Sequence, residues 1–168
     1  MKVNSAGILP YRYVSNKLEV MLAHPGGPFW AKKDEASWSI PKGLSEEGES
    51  LLDAAKREFY EETGFKVDCD LIELGSVAQS SKIITAFAAN IDIDVDKVTS
   101  NTFEMEWPPK SGQMQEFPEN DKAEWFSVEK ARNKIFKGQV EFLSRLTKQL
   151  NYTEKSDESE CEEQLSLI

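Results

Sequence analysis

This chain has little with which to build a disulfide framework, a zinc site or a nucleic-acid grip. Its two cysteines, Cys69 and Cys161, have neither pairing pattern nor metal-ligand spacing. A single histidine, His24, excludes any mechanism that needs a histidine pair and leaves little room for zinc held by imidazoles. Basic residues are outnumbered, 20 Lys and Arg against 30 Asp and Glu, for a formal net charge of −10. Proteins that grip long nucleic acid present a basic surface, so that class is set aside. An acidic protein still binds a polyphosphate when a metal bridges the charges. No apolar run approaches the roughly 20 residues of a membrane helix. Residues Met1 to Gly7 hold no apolar stretch of the secretory type, so the expectation is a cytoplasmic protein with no membrane partner.

What is present is enough for one packed domain. The 168 residues are 39% hydrophobic and include four Trp, which suits a single core. The charge is uneven. From Thr153 to Ile168 there are six acids and one Lys, half of the net charge. We therefore expect a domain over 1–150 and an acidic, disordered tail over 151–168.

Two strands are predicted over Ala6–Tyr13 and Leu18–His24, joined by a turn at Val14–Lys17. Pro25–Ser37 reads as a long loop and Trp38–Pro41 as extended chain, since Pro41 disfavours helix before it. Ser50 with Asp53 has capping-box spacing and opens a helix whose buried face is expected at Leu51, Leu52, Ala55 and Phe59. Gly64 is placed to end it in a left-handed conformation. Further strands are expected over Leu71–Gln79, Lys82–Ile93, Thr102–Trp107 and Ala123–Val128. In the third of these, Phe103, Met105 and Trp107 alternate with Glu and should face a sheet core. Val128–Leu150 has helical periodicity, as one helix or two broken near Gly138. This order predicts an α/β (α+β) domain with a mixed central sheet and helices on its faces.

The chemistry concentrates on the first helix. Glu58, Glu61 and Glu62 fall within about a third of the helix circumference. Crowded carboxylates repel, so such a helix is either well solvated or holding a cation. Carboxylate oxygens suit Mg²⁺ or Mn²⁺, which bind phosphate oxygens and activate water. Arg57, four before Glu61, is placed to orient that carboxylate by a bidentate pair.

The surrounding pattern decides between these readings. Gly43, Glu49, Arg57, Glu58, Phe59, Glu61, Glu62, Gly64 and Phe65 stand at every fixed position of the Nudix box. The chain therefore resembles the Nudix hydrolases. Ser5–Leu9, Trp38–Gly43 and Glu124–Phe126 are similar to other parts of the family, so residues 3 to 150 are covered. The resemblance implies a Nudix α/β/α sandwich and hydrolysis of a nucleoside diphosphate linked to another group. It implies that Gly43 (through its carbonyl), Glu58, Glu61 and Glu62 are metal ligands and that Glu58 is the favoured base, with Arg57 and Glu61 in the catalytic set. A late-loop carboxylate often completes the site. Glu119 is the choice here, with Glu116, Asp121 and Glu124 as rivals. The resemblance also admits a homodimer.

Two features bear on the substrate. Pro41-Lys42-Gly43 looks like Nudix members acting on dinucleoside polyphosphates, with Lys42 as a point charge on phosphate or in a salt bridge. The loop His24-Pro25-Gly26-Gly27-Pro28-Phe29-Trp30-Ala31-Lys32-Lys33 is similar to that of a bacterial Nudix subgroup. It pairs aromatics that stack on bases with lysines that meet phosphate, so Phe29, Trp30, Lys32 and Lys33 join Lys42 as substrate-binding candidates. The competing reading folds Phe29 and Trp30 into a small core of their own, and His24 reads as structural. A dinucleoside polyphosphate such as diadenosine tetraphosphate is placed ahead of a nucleoside triphosphate. A nucleotide-sensing module without catalysis is disfavoured by the full set of glutamates. The isomerase branch of the fold is disfavoured by the positions of Cys69 and Cys161.

Overall fold

Ser15 and Asn16 both take the left-handed backbone, φ 51° and 66°. That is the two-residue turn whose twist matches antiparallel strands, and it folds β1 (Val3–Val14) back against β2 (Lys17–Pro25) with Val14 opposite Lys17. The computed structural model describes residues 3–154. After β2 come β3 (Lys42–Leu44), α1 (Leu51–Thr63), β4 (Leu71–Gln79) and β5 (Lys82–Asn90). Then follow β6 (Thr102–Glu106), β7 (Met114–Pro118), β8 (Asn120–Ser127), α2 (Val128–Lys134) and α3 (Val140–Gln149). Single 3₁₀ turns sit at Val95–Lys97 and Lys137–Gln139.

The main sheet runs β4-β5-β1-β2-β8, with β3 also on β1. It is mixed: β1 and β5 are parallel and the other pairs antiparallel. One edge of β1 is shared. β2 pairs with it from Tyr11 to Val14 and β3 from Ser5 to Gly7. Between the two, the extended segment Trp38–Pro41 wedges in, with Ser39 bonded to Ala23 of β2 and Ile8 of β1 donating to the Pro41 carbonyl. Gly7 makes this approach possible, because a Cβ there would fall 2.7 Å from the Lys42 Cβ and 2.5 Å from the Pro41 oxygen.

The two faces of the sheet carry two cores. Leu9, Leu22, Trp38, Phe142 and Leu146 lie on the side of α2 and α3. Ala6, Ile8, Met21, Ala55, Phe59 and Phe87 lie on the side of α1. The expected α/β/α sandwich with a mixed central sheet is what forms. Phe59 is fully buried, a burial worth about 1.5–3 kcal/mol. Ser50 caps α1 by accepting from Asp53 N, and Gly64 ends it at φ 83°. The helical stretch after Val128 breaks into α2 and α3 around Gly138.

Several expectations need correcting. Leu51 and Leu52 are 36% and 38% exposed, because the buried stripe of α1 begins only at Ala54 and Ala55 and continues through Phe59 and Thr63. The strand opening at Lys82 ends at Asn90, not Ile93. Phe103, Met105 and Trp107 do not enter the main core. β6 pairs with β7 in a separate two-stranded sheet, where one face of the ribbon packs and the other meets solvent, so these side chains are only half-buried. Past residue 150 the chain still packs on the domain. Tyr152 lies against the α2–α3 core, and Glu154 takes two bonds from Arg132. The acidic tail falls outside the described residues from 155 onward.

Candidate active site

Three consecutive steps of the sequence set the acidic side of the site. Helical spacing puts Glu58 and Glu62 in one column with Glu61 beside it. α1 then packs across β1 and β3, and Gly43 meets the helix with no side chain. A Cβ at Gly43 would overlap the Glu58 carboxylate, so a glycine is the condition for Glu58 to approach the strand.

Arg57 organises the group. Its Nε and Nη2 donate to the two Glu49 oxygens at 2.8 and 3.0 Å, a bidentate pair. Nη1 donates to Glu58 at 2.9 Å and to Glu61 at 3.2 Å, and Nη2 also reaches the Leu44 carbonyl at 3.0 Å. The bidentate partner is thus Glu49 rather than the expected Glu61, because Glu49, just ahead of the helix, meets the guanidinium edge that α1 leaves open. The charge-assisted bonds from Arg57 hold the Glu49 carboxyl at about 2. Burial pushes Glu58 upward, opposed by Arg57. Burial, with Glu119 and Glu58 as like charges nearby, lifts Glu62 to about 7.

Glu119 reaches Glu62 through backbone bonds. Asn101 N donates to the Glu61 carbonyl of α1, Glu119 N donates to Asn101 O at 2.7 Å, and Gly26 N donates to Glu119 O at 2.9 Å. Next to it, Asn120 donates its side-chain amide to Glu62, and its backbone exchanges bonds with the Ser100 hydroxyl. The rivals lie elsewhere. Asp121 is bonded to His24 at 2.9 Å, Glu116 pairs with Glu104 in the β6–β7 ribbon, and Glu124 lines a different cavity.

Glu62, Glu119 and Asn120 open onto a cleft of about 340 Å³ whose walls also include Trp30, Lys42, Gln79 and Lys82. A larger cavity, about 730 Å³, is lined by residues of β2, β8 and α2 and contains none of the box residues. Of the loop candidates, Trp30 lines the cleft, edge-on to Phe136 at 5.4 Å, and Lys33 sits 4.8 Å over its ring. Phe29 does not line it. Phe29 is 63% exposed and packs edge-on against Trp107 at 5.8 Å. Lys32 is exposed and outside the cleft walls as well. The two loop aromatics therefore take separate partners rather than each other. His24 pins the loop from beneath, with one ring nitrogen on Asp121 and the other 2.6 Å from the Lys33 carbonyl. Lys42 is half-buried, with no ion pair within 4 Å among the described residues. Its pKa is lowered by burial and by Lys82, against the pull of Glu62 and Glu58.

Sequence reasoning missed Asn120, Gln79, Lys82 and Phe136, which come from four separate elements and share no spacing with the box. It also left Glu49 without a role, although the distance of eight residues to Arg57, two turns of helix and its lead-in, was a usable signal.

Among the described residues, no group of three or more acids, His or Cys converges on a single point. Glu58 and Glu61 are drawn onto Arg57 and Glu62 onto Asn120. The donor set itself suits a hard divalent cation. Four carboxylates and a glycine carbonyl supply only oxygen ligands, and burial, with a smaller part from neighbouring like charges, raises Glu58 and Glu62, a cost that a cation relieves.

The NUDIX domain family matches residues 5–146. Curated proteins give no significant match. Solved structures give many. The Ap4A hydrolase of C. elegans, in a binary complex, is 22% identical with a TM-score of 0.58, over 89% of this chain and 98% of that one. The NUDIX domain of Shewanella oneidensis NrtR complexed with ADP ribose is 15% identical with a TM-score of 0.60, over 89% of each chain. A mutT/nudix family protein from Listeria innocua is 16% identical with a TM-score of 0.57, over 89% of this chain and 94% of that one. At these identities the likeness is one of fold.

Proposed function

Because this chain belongs to the Nudix family, whose pyrophosphohydrolase chemistry splits nucleoside diphosphate-linked substrates, we propose that it hydrolyses a dinucleoside polyphosphate such as diadenosine tetraphosphate. The observation that carries this reading is the cleft's mixed charge. Glu62 and Glu119, Lys42 and Lys82, and the aromatic pair Trp30 and Phe136 all line it. A diphosphate needs one cation and little more. A longer phosphate chain needs further positive charge, and a base at its end needs an aromatic face. The fold shared with the C. elegans Ap4A hydrolase points the same way.

In this reading Glu58, Glu61, Glu62, Glu119 and the Gly43 carbonyl hold Mg²⁺ or Mn²⁺. When bound, the cation neutralises phosphate oxygens and makes a water more acidic. Arg57 fixes Glu58 and Glu61 in position. Glu58, half desolvated against Gly43, accepts the proton of the attacking water; a carboxylate with a raised pKa is the better base near neutral pH. Lys42 meets a phosphate as a point charge. Trp30 presents a ring to a base.

A second reading, a sensing module, draws on the ADP-ribose complex of the NrtR domain. The complete Arg57-centred carboxylate set weighs against it, since binding alone does not require so many crowded acids. A substrate panel with Mg²⁺ separates the readings: diadenosine polyphosphates, nucleoside triphosphates, ADP-ribose and nucleotide sugars, with products read by chromatography. Fastest turnover on a dinucleoside polyphosphate is expected. Binding of ADP-ribose with no turnover of any substrate would move the chain to the sensing class, and a preference for triphosphates would replace the substrate.

A further inference from the structure

The basic lining of the cleft is built by strand register. Gln79 and Lys82 flank the tight turn Ser80–Ser81 and stand opposite each other in the β4–β5 pair, so their side chains share a face. Lys82 is also opposite Val3 of β1, and Lys42 is opposite Gly7. Val3 and Gly7 are four apart on one strand and share a face. Lys42, Lys82 and Gln79 therefore project on the same side of the sheet, and all three line the cleft. Neither lysine has an ion-pair partner among the described residues.

The hydrogen bonds also determine which end of the Gln79 amide faces the cleft. Ile40 N–H is an unambiguous donor, and it donates to the side-chain oxygen of buried Gln139 at 3.1 Å. The other end of the Gln139 amide is therefore its NH₂, which donates to Ser39 Oγ at 3.0 Å and to Gln79 at 3.0 Å. Only the Gln79 oxygen can accept that bond. Its NH₂ group is left for the cleft. Gly138 keeps it there, because a Cβ at that position would press on the Gln79 stem at 3.0–3.2 Å. The wall thus presents two ammonium groups and one oriented amide, donors throughout, to whatever enters.

We propose that Lys82 and Gln79, beside Lys42, form a subsite for a phosphate beyond the pair that flanks the scissile bond, so that the preferred substrate carries a chain of three or more phosphates. This rests on the cleft being the active site, as proposed above. Donors with no acceptor of their own select an anion, and Glu62 and Glu119, which line the same cleft, mark the end at which the metal would meet the chain.

The test uses inorganic tripolyphosphate and inorganic pyrophosphate as probes, with binding measured by calorimetry in Mg²⁺ and again in EDTA. Wild type should bind tripolyphosphate more tightly than pyrophosphate. Lys82→Met and Gln79→Leu should each weaken tripolyphosphate binding roughly tenfold, the loss of one charged hydrogen bond, and leave pyrophosphate binding nearly unchanged. Lys82→Arg should retain most of the tripolyphosphate affinity. Lys82 is exposed and Gln79 half-buried, and melting curves check that each variant folds. Equal losses on the two probes, no loss in either variant, or no wild-type preference for the longer chain would overturn the subsite. Should tripolyphosphate bind as expected while the wild type cleaves no nucleotide, the proposed function fails and the subsite stands.

Discussion

The two charged sets at the cleft are built in opposite ways. On the acidic side, three glutamates come from one helix, of which Glu62 lines the cleft, and their mutual repulsion is offset inside the protein by Arg57 and Asn120. On the basic side, Lys42 and Lys82 come from different strands and form no ion pair within 4 Å among the described residues, although Glu62 and Glu58 act on Lys42 from farther away. The acidic side is therefore held by internal partners, Arg57 for Glu58 and Glu61 and Asn120 for Glu62. The basic side is held apart only by sheet register, and its charges are answered by what binds. In the proposed function the first set serves the chemistry and the second the selection of substrate.

The comparison can be broken at several points. Glu62→Gln removes a charge from the acidic side while keeping an acceptor for Asn120. Turnover should fall by at least about a hundredfold, the upper range for losing even an outer partner of a metal, with the melting temperature maintained. Steady-state kinetics beside a melt checks this, and near-wild-type turnover would take α1 out of the mechanism. Arg57→Lys comes next. An ammonium cannot reproduce the fork to Glu49 together with the bonds to Glu58 and Glu61, so kcat should drop by about tenfold or more, comparable to other outer-partner losses, with KM little changed. Trp30→Ala acts on selection: KM for a nucleotide should rise up to about tenfold, as for loss of one base stack, and kcat should hold.

The smallest effect is one of stability. Glu49 has its folded pKa held near 2, below the ordinary 4.5, by Arg57. A depressed carboxyl contributes stability above its unfolded pKa and loses it as pH falls through the folded value. Glu49→Gln should therefore melt below wild type at neutral pH, with the gap narrowing below about pH 4.5 and closing near pH 2. Melting curves across that range test it. A gap that does not depend on pH would mean that the Glu49–Arg57 pair acts by shape and not by charge.

The same contrast explains what could be read in advance. Glu58, Glu61, Glu62, the Ser50 cap and the Gly64 stop lie within one helix, where spacing alone sets geometry, and the Gly43 requirement follows from that helix meeting a strand. Glu119 was legible as a late-loop carboxylate near Trp125, though only the chain of bonds through Asn101 and Gly26 shows it beside Glu62. Lys82 and Gln79 were not legible, because their place depends on which strands pair and in what register, and a parallel β1–β5 pair leaves no local mark. Leu51 and Leu52 misled for the converse reason. Their spacing fits an apolar face, yet the sheet below α1 begins to bury side chains only from Ala54. The β6–β7 ribbon had the alternation of a core strand, and nothing in residues 102–107 shows that its partner is Met114–Pro118 rather than the main sheet.

The central claim is that the carboxylates of α1 and Glu119 together hold a divalent cation. Titration of Mn²⁺ into the metal-free protein, followed by electron paramagnetic resonance, tests it most directly, with Glu62→Gln and Glu119→Gln run in parallel. The account predicts specific binding by wild type that weakens by about tenfold or more in each variant, since an amide replaces a charged oxygen ligand. Equal Mn²⁺ affinity in all three proteins would contradict it.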